Sequence, residues 1–195
     1  MSKISVLMSV YKKENPEYLR ASLESVLVQT RTADEILLIE DGPLTQELYQ
    51  VVAEYQKKCD YLHVHAMEQN VQLGRALAKG VELCQYDLIA RMDTDDIAMP
   101  DRLEKEEAYM EAHPEVDVVG GAIREFNDEG TIDRVKNMPK TQEEILEYVK
   151  VRNPLNHMTV MYRKDSILKA GNYKHFPFLE DYSLWSRMLD RKSVV

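Results

Sequence analysis

The chain has 195 residues, 44% of them hydrophobic and 30% charged, which suits one sizeable soluble domain with a full core. Its formal net charge of −9 argues against sequence-independent nucleic-acid binding, which needs a basic face, but leaves room for an anionic ligand held through a metal ion. Cys59 and Cys84 form no C-x-x-C pair, so no zinc or redox motif is legible and a reducing, cytoplasmic setting is expected.

Met1-Ser2-Lys3 leads straight into a first strand, Ile4 to Val10, too short for a signal peptide. Asn15 then reads as a helix cap with Pro16 at the first helical position. Leu19, Leu23, Val26 and Leu27 give that helix an apolar face. Glu35 to Glu40 is a second strand, near-continuously apolar, as expected when both faces of a sheet are covered. Thr45 caps a second helix with Leu48, Val51, Val52 and Tyr55 inward. His63 to Ala66 is a short third strand, Leu73 to Cys84 a small-residue helix, and Asp87 to Met92 a fourth strand. A helix from about Pro100 follows, with Asp101 near its positive end. This βαβα order implies a mostly parallel, doubly wound α/β sheet with helices on both faces.

The second half is less regular. Val116 to Phe126 reads as one strand, Asn127 to Gly130 as a turn, and Thr141-Gln142-Glu143-Glu144 as a capping box before a helix. Met158 to Tyr162 reads as another strand, a short helix runs from Asp165 to a stop at Gly171, and a last helix begins near Glu180. No stretch reaches the length of a membrane span, and no repeat or linker divides the chain. Asp190 to Val195 follow a helix with no closing strand, so the expectation is a truncated chain or a short-tailed family member.

In open parallel sheets ligands bind beyond the carboxyl ends of the strands. The first strand ends at Ser9-Val10-Tyr11, the second at Glu40-Asp41-Gly42 and the fourth at Asp93-Thr94-Asp95-Asp96. Parallel pairing would bring all three to one edge, where Tyr11 could stack on a base and Asp41 accept a base N–H. Asp93 and Asp95 point the same way in an extended segment. Two such charges about 4 Å apart repel by roughly 4 kcal/mol at an effective dielectric near 20, so a cation is expected between them. Hard oxygens favour Mg2+ or Mn2+. There is no G-x-G-x-x-G and no G-x-x-x-x-G-K-[ST]; positive charge for a diphosphate must then come from an ion on the acid pair.

Together these segments resemble glycosyltransferase family 2, with its GT-A fold. The matching pieces are Val6 to Tyr11, Leu23 to Thr30, Glu35 to Gly42, Asn70 to Gly80, Ala90 to Asp96, Pro154 to Met161 and Glu180 to Trp185. The resemblance implies an inverting transfer from a nucleoside-diphosphate sugar, with UDP favoured, to a saccharide or lipid-linked saccharide acceptor in surface-polysaccharide synthesis. It puts Ser9, Tyr11, Asp41, Arg75, Asp93 and Thr94 with the nucleotide-sugar, Asp95 and His157 with the metal, and Asp181 as catalytic base. The nucleotide-sugar half would span about 1–100 and the acceptor and catalytic half about 101–195. Peripheral contact with the inner face of a membrane is a further expectation. Two alternatives stay open. One is a haloacid-dehalogenase-like phosphohydrolase, whose D-x-D-x-[TV] motif Asp93 to Ile97 approaches. The other is a nucleotide-sugar binder without catalysis. An EF-hand fails, because the loop's glycine is not at the required position. His63 and His65 share a strand face but lack a third ligand, and Trp185 reads as core.

Overall fold

Strand β1 (Ile4–Val10) is shielded on both faces. Its alternating side chains go to two separate cores: Ile4, Val6, Met8 and Val10 to one, Leu7 to the other. The same division runs through β2 (Glu35–Glu40), with Ile36 and Leu38 opposed to Leu37 and Ile39, and through β4 (Leu88–Met92), with Leu88, Ala90 and Met92 opposed to Ile89. Two covered faces leave no position for exposed polar residues, which is why these strands are near-continuous apolar runs. This is a computed structural model, and it describes residues 2–127 and 133–189.

With β3 (Leu62–Ala66), β5 (Val118–Val119) and β8 (Met161–Arg163), the main sheet has the order β3-β2-β1-β4-β8-β5. β1 to β4 are mutually parallel, while β8 runs antiparallel to both β4 and β5. Helices α1 (Pro16–Leu27), α2 (Gln46–Lys58) and α4 (Arg102–Ala112) close the first core. Helices α3 (Leu73–Leu83), α6 (Lys164–Lys169) and α7 (Glu180–Leu189) pack on the second, where Trp185 is fully buried. The architecture is the doubly wound, mostly parallel GT-A type expected, in one domain. Its helix starts follow local chemistry: Asn15 Oδ1 accepts the Glu17 N–H at 2.9 Å and Thr45 Oγ1 the Leu48 N–H at 3.3 Å, each such cap worth about 1 kcal/mol.

The irregular half departs from the expectation in three places. The single strand over Val116 to Phe126 is two, β5 and β6 (Ile123–Phe126), in different sheets. The break falls at Gly120-Gly121, where the Gly121 N–H turns from the ladder to Thr159 Oγ1 at 2.9 Å. β6 pairs with β7 (Asp133–Lys136) as an antiparallel ribbon; of its expected turn, 128–130 lie outside the described residues, as do 190–195. The strand expected from Met158 starts instead as a 3-10 turn, His157–Thr159, because Thr159 Oγ1 donates to Asn156 O at 2.9 Å. Before α5 (Gln142–Tyr148), Thr141 Oγ1 does accept the Glu144 N–H, but Glu144 reaches back to the Lys140 N–H, one residue beyond a capping box. Helix α4 starts at Arg102, two residues later than expected, and Asp101 pairs with Lys105 at 2.5 Å rather than capping it.

Candidate active site

The parallel register sets Val10 opposite Glu40 and Met8 opposite Met92, so the three polar strand ends do lie along one edge. From β1 the chain winds outward through β2 to β3, then returns across the sheet to β4 on the other side of β1. The crevice between β1 and β4 is therefore the topological switch point. Thr94 ties its two walls together: its buried hydroxyl donates to Glu14 Oε2 at 2.7 Å and lies 3.4 Å from Ser9 O.

A second set of ties comes from α1. Ser22 Oγ donates to Asp93 O at 2.8 Å, and Ser25 Oγ accepts the Ala98 N–H at 3.0 Å. Just past the helix, Gln29 donates to Met99 O at 2.8 Å and accepts the Leu103 N–H at 3.1 Å. Buried backbone polar groups must find partners, and these three buried side chains supply them along the length of the acid loop.

The acids themselves have unequal surroundings. The paired, uncompensated Asp93 and Asp95 of the sequence reading need revision. The fully buried Arg91 guanidinium contacts Asp93 Oδ1 and the Met92 carbonyl. Burial alone would raise the Asp93 carboxyl, but Arg91, then His157 and Arg102, hold it below the usual carboxylate range. Asp95 is exposed, and its carboxyl is pushed up by burial of its surroundings and by Asp93 and Glu14. Asp96 is pushed up to about 6 by burial, Asp93 and Asp95. The loop thus carries excess negative charge at Asp95 and Asp96, which a cation would relieve.

On the β2 side Asp41 is buried. It accepts the Val71 N–H at 2.6 Å and the Asn70 amide at 3.0 Å. Burial raises its carboxyl, and the Val71 and Gln72 N–H groups partly offset this. Asp41 therefore serves the entrance of α3, whose own cap position, Gln72, makes no side-chain bond. Gly42 follows at φ +82°, and a Cβ there would sit 2.5 Å from Asn70 N; only glycine fits. Tyr11 is 45% exposed at the crevice mouth, Ser9 is half-buried, and Arg75 is exposed on the first turn of α3.

Asp181 lies in the first turn of α7, where Asn153 donates to its Oδ2 at 2.6 Å and the Tyr182 N–H to its Oδ1 at 2.7 Å. Close approach of α7 to α3 sets that position: a Cβ on Gly74 would lie 2.4 Å from Lys174 O and 3.2 Å from Glu180 Cβ. His157 feels the charge of both Asp93 and Asp181. Its Nε2 meets Tyr173 Oη at 3.0 Å. Burial and Arg91 lower its pKa to about 4 against the opposing pull of Asp93 and Asp181, so the imidazole is neutral at pH 7. Of the residues singled out from sequence, Thr94 turns inward to bond Glu14 and Asp41 turns inward to hold the Val71 backbone. Glu14, Arg91, Asn153 and Tyr173 are additions. Arg91, a lone cation inside an apolar strand, was the one legible signal among them.

Among the described residues no three His, Cys, Asp or Glu side chains close around a point. The exposed Asp95 carboxyl and the His157 ring are the groups here that could hold a divalent ion.

The profile of Glycosyl transferase family 2 matches residues 5–174. The chain is 44% identical to the amylovoran biosynthesis glycosyltransferase AmsE of Erwinia amylovora, over 95% of this chain and 69% of that one. It is 35% identical to the UDP-Gal:alpha-D-GlcNAc-diphosphoundecaprenol beta-1,3-galactosyltransferase of Escherichia coli, over 96% of this chain and 68% of that one. Among solved structures, S. aureus TarS 1-349 in complex with UDP-GlcNAc superposes with a TM-score of 0.75 at 19% identity, covering 96% of this chain and 53% of TarS 1-349. The chain thus spans about two thirds of these curated relatives and about half of that structure.

Proposed function

The chain belongs to glycosyl transferase family 2, and from that premise we propose that it transfers a sugar, with inversion, from a UDP-sugar to a hydroxyl of a lipid-diphosphate-linked saccharide during surface-polysaccharide synthesis. The observation that supports the reading is the alignment of the Ser9-Val10-Tyr11, Asp41 and Asp93–Asp96 strand ends along one edge of the sheet. The Escherichia coli galactosyltransferase supports the donor and acceptor classes, and the amylovoran enzyme the polysaccharide setting.

In this reading Tyr11 and Ser9 line the base and ribose side of the crevice, with Asp41 setting the loop at Asn70-Val71 beside them. Arg75 lies along the diphosphate, and the first 100 or so residues hold the donor. Asp95, with His157, would hold Mg2+ or Mn2+, which when bound supplies positive charge to the departing diphosphate. Asp181, oriented by Asn153, takes the proton of the acceptor hydroxyl as that oxygen attacks the anomeric carbon from the face opposite the leaving group. Asp93, fixed on Arg91, stays charged and orients the ribose. No helix among the described residues is long and apolar enough to cross a membrane; the lipid-linked acceptor would bring the enzyme to the cytoplasmic face. The phosphohydrolase alternative fits less well, because its attacking carboxylate would be Asp93, which Arg91 holds.

The test pairs binding with turnover. Thermal shift with UDP, GDP and dTDP, each with and without Mn2+, should single out UDP with metal. Asp181→Asn should lower transfer by about 10²–10⁴-fold while keeping UDP binding. Near-normal transfer by Asp181→Asn would overturn the base assignment. UDP binding without transfer by the native protein would mark a nucleotide-sugar binder.

A further inference from the structure

The segment just before α7 holds the most exposed large apolar side chain among the described residues. Phe178 is 96% exposed, with Phe176 at 50% and Leu179 at 53% beside it. The three share one tight turn: the Leu179 N–H donates to Phe176 O at 2.8 Å, with Pro177 and Phe178 at the two central positions. Proline at the first of these sets its backbone angle in advance. Phe178 has φ +67°, a conformation that favours glycine or asparagine and is uncommon for a bulky residue. The turn runs directly into α7, because Leu179 O accepts the Ser183 N–H at 2.8 Å. A rigid turn on a helix end thus holds two rings and a leucine out in water, where a small polar residue would suit the backbone better.

Size and charge indicate the partner. Aromatic side chains present about 150–250 Å² each, so the three exposed portions come to roughly 400 Å². A stable protein–protein contact buries about 800 Å² on each side, twice what this tip offers to a second copy or another folded partner. A bilayer takes up such side chains singly, with their apolar bodies in the interface and polar groups above. The foot of the turn is basic. Lys174 is exposed and has no ion-pair partner among the described residues. A Cβ on Gly171 would lie 4.0 Å from Lys174 Nζ and 3.3 Å from Arg187 Nη1, so two cations stand together there. The acids that follow in the chain are withdrawn: Glu180 is 8% exposed, and Asp181 is engaged by Asn153 and the Tyr182 N–H. In a chain of net charge −9, a basic foot under an apolar tip matches an anionic lipid surface.

We propose that Phe176, Phe178 and Leu179 dock the protein on a bilayer bearing anionic headgroups, the two rings and the leucine entering the interface while Lys174 meets lipid phosphate. Docking of this kind needs neither nucleotide nor acceptor. Its consequence for the reaction rests on the sugar-transfer reading above: Asp181 lies two residues beyond Leu179, so the turn holds the general base beside the membrane plane, where a lipid-linked diphosphate is found.

The test uses acceptor-free vesicles of phosphatidylcholine, with and without phosphatidylglycerol. The native protein should co-sediment with the mixed vesicles, and more weakly at high salt. Phe178→Asn suits the positive φ and removes the ring; it should weaken partitioning about tenfold or more while leaving the thermal shift with UDP unchanged. Lys174→Gln should weaken binding to the mixed vesicles alone. Phe178→Trp reads the contact directly. On mixed vesicles its emission should move to the blue and be quenched by lipids brominated in the acyl chain, over the constant background of the buried Trp185. Val28→Trp, at the end of α1 on the other side of the sheet, should show neither effect. The inference is overturned if the Phe178→Trp emission stays unmoved on every vesicle, if Val28→Trp responds equally, if Phe178→Asn binds vesicles as tightly as the native chain, or if the native protein forms a dimer that Phe178→Asn abolishes. Vesicle docking by a protein that binds no nucleotide would support this inference while overturning the sugar-transfer reading, a separate result.

Discussion

Asp96 offers a quantitative test of the charge crowding in the acid loop. Its folded pKa of about 6 stands above the model-compound value of 3.8, raised by burial and by the Asp93 and Asp95 carboxylates. A carboxyl raised on folding binds its proton more tightly in the native state. Native stability therefore suffers no penalty below about pH 4, loses ground as the pH climbs from about 4 to 6, and bears the full penalty above that. Two units correspond to about 3 kcal/mol; the group is part-exposed, so solvent screening brings the expectation to about 1–1.5 kcal/mol. Asp96→Asn removes the charge while keeping the shape. It should raise Tm by about 2–6 °C at pH 8 and by almost nothing at pH 4. The assay is thermal unfolding by circular dichroism across pH 4–8 without divalent ions. Repeating it with Mn2+ should narrow the gap at pH 8, since bound cation relieves the native protein of the same repulsion. A gain independent of pH would refute the electrostatic reasoning and point to packing instead. Loss of stability at pH 8 would mean that the Asp96 carboxylate has a favourable partner.

Two further outcomes follow from neighbouring contacts. Gly74→Ala places a methyl group against Lys174 O and Glu180 Cβ; it should cost about 1–3 kcal/mol in urea unfolding and, by shifting the first turn of α7, lower kcat about 10–100-fold with donor KM nearly unchanged. Unchanged kcat would show that Asp181 does not depend on this packing. Arg91→Met removes the counter-ion of Asp93 and should destabilise the protein by about 3–5 kcal/mol, an amount typical of breaking a buried pair, with much of the loss recovered in the double variant Arg91→Met/Asp93→Asn. An additive double variant would refute the pairing.

The central sheet was readable because period-two burial on both faces leaves a direct mark: apolar runs at Ile4, Glu35 and Asp87 separated by helical spacing. Parallel order then placed Tyr11, Asp41 and the acid loop on one edge without any motif. What escaped was long-range and polar. Nothing local in Val116 to Phe126 says that Gly121 will bond Thr159, 38 residues on, so one strand was read where two exist. Arg91 was passed over as part of a strand, and with it the counter-ion that makes Asp93 different from Asp95.

The bonds from Ser22, Ser25 and Gln29 have a consequence for how the enzyme meets its donor. A loop already splinted along its length has little freedom left to surrender when a nucleotide arrives, so affinity need not be spent on ordering it. The splint also makes helix and loop a single mechanical piece. Damage at Gln29, a glutamine remote from any reacting atom, would surface in a mutational screen looking like a defect in the acids themselves.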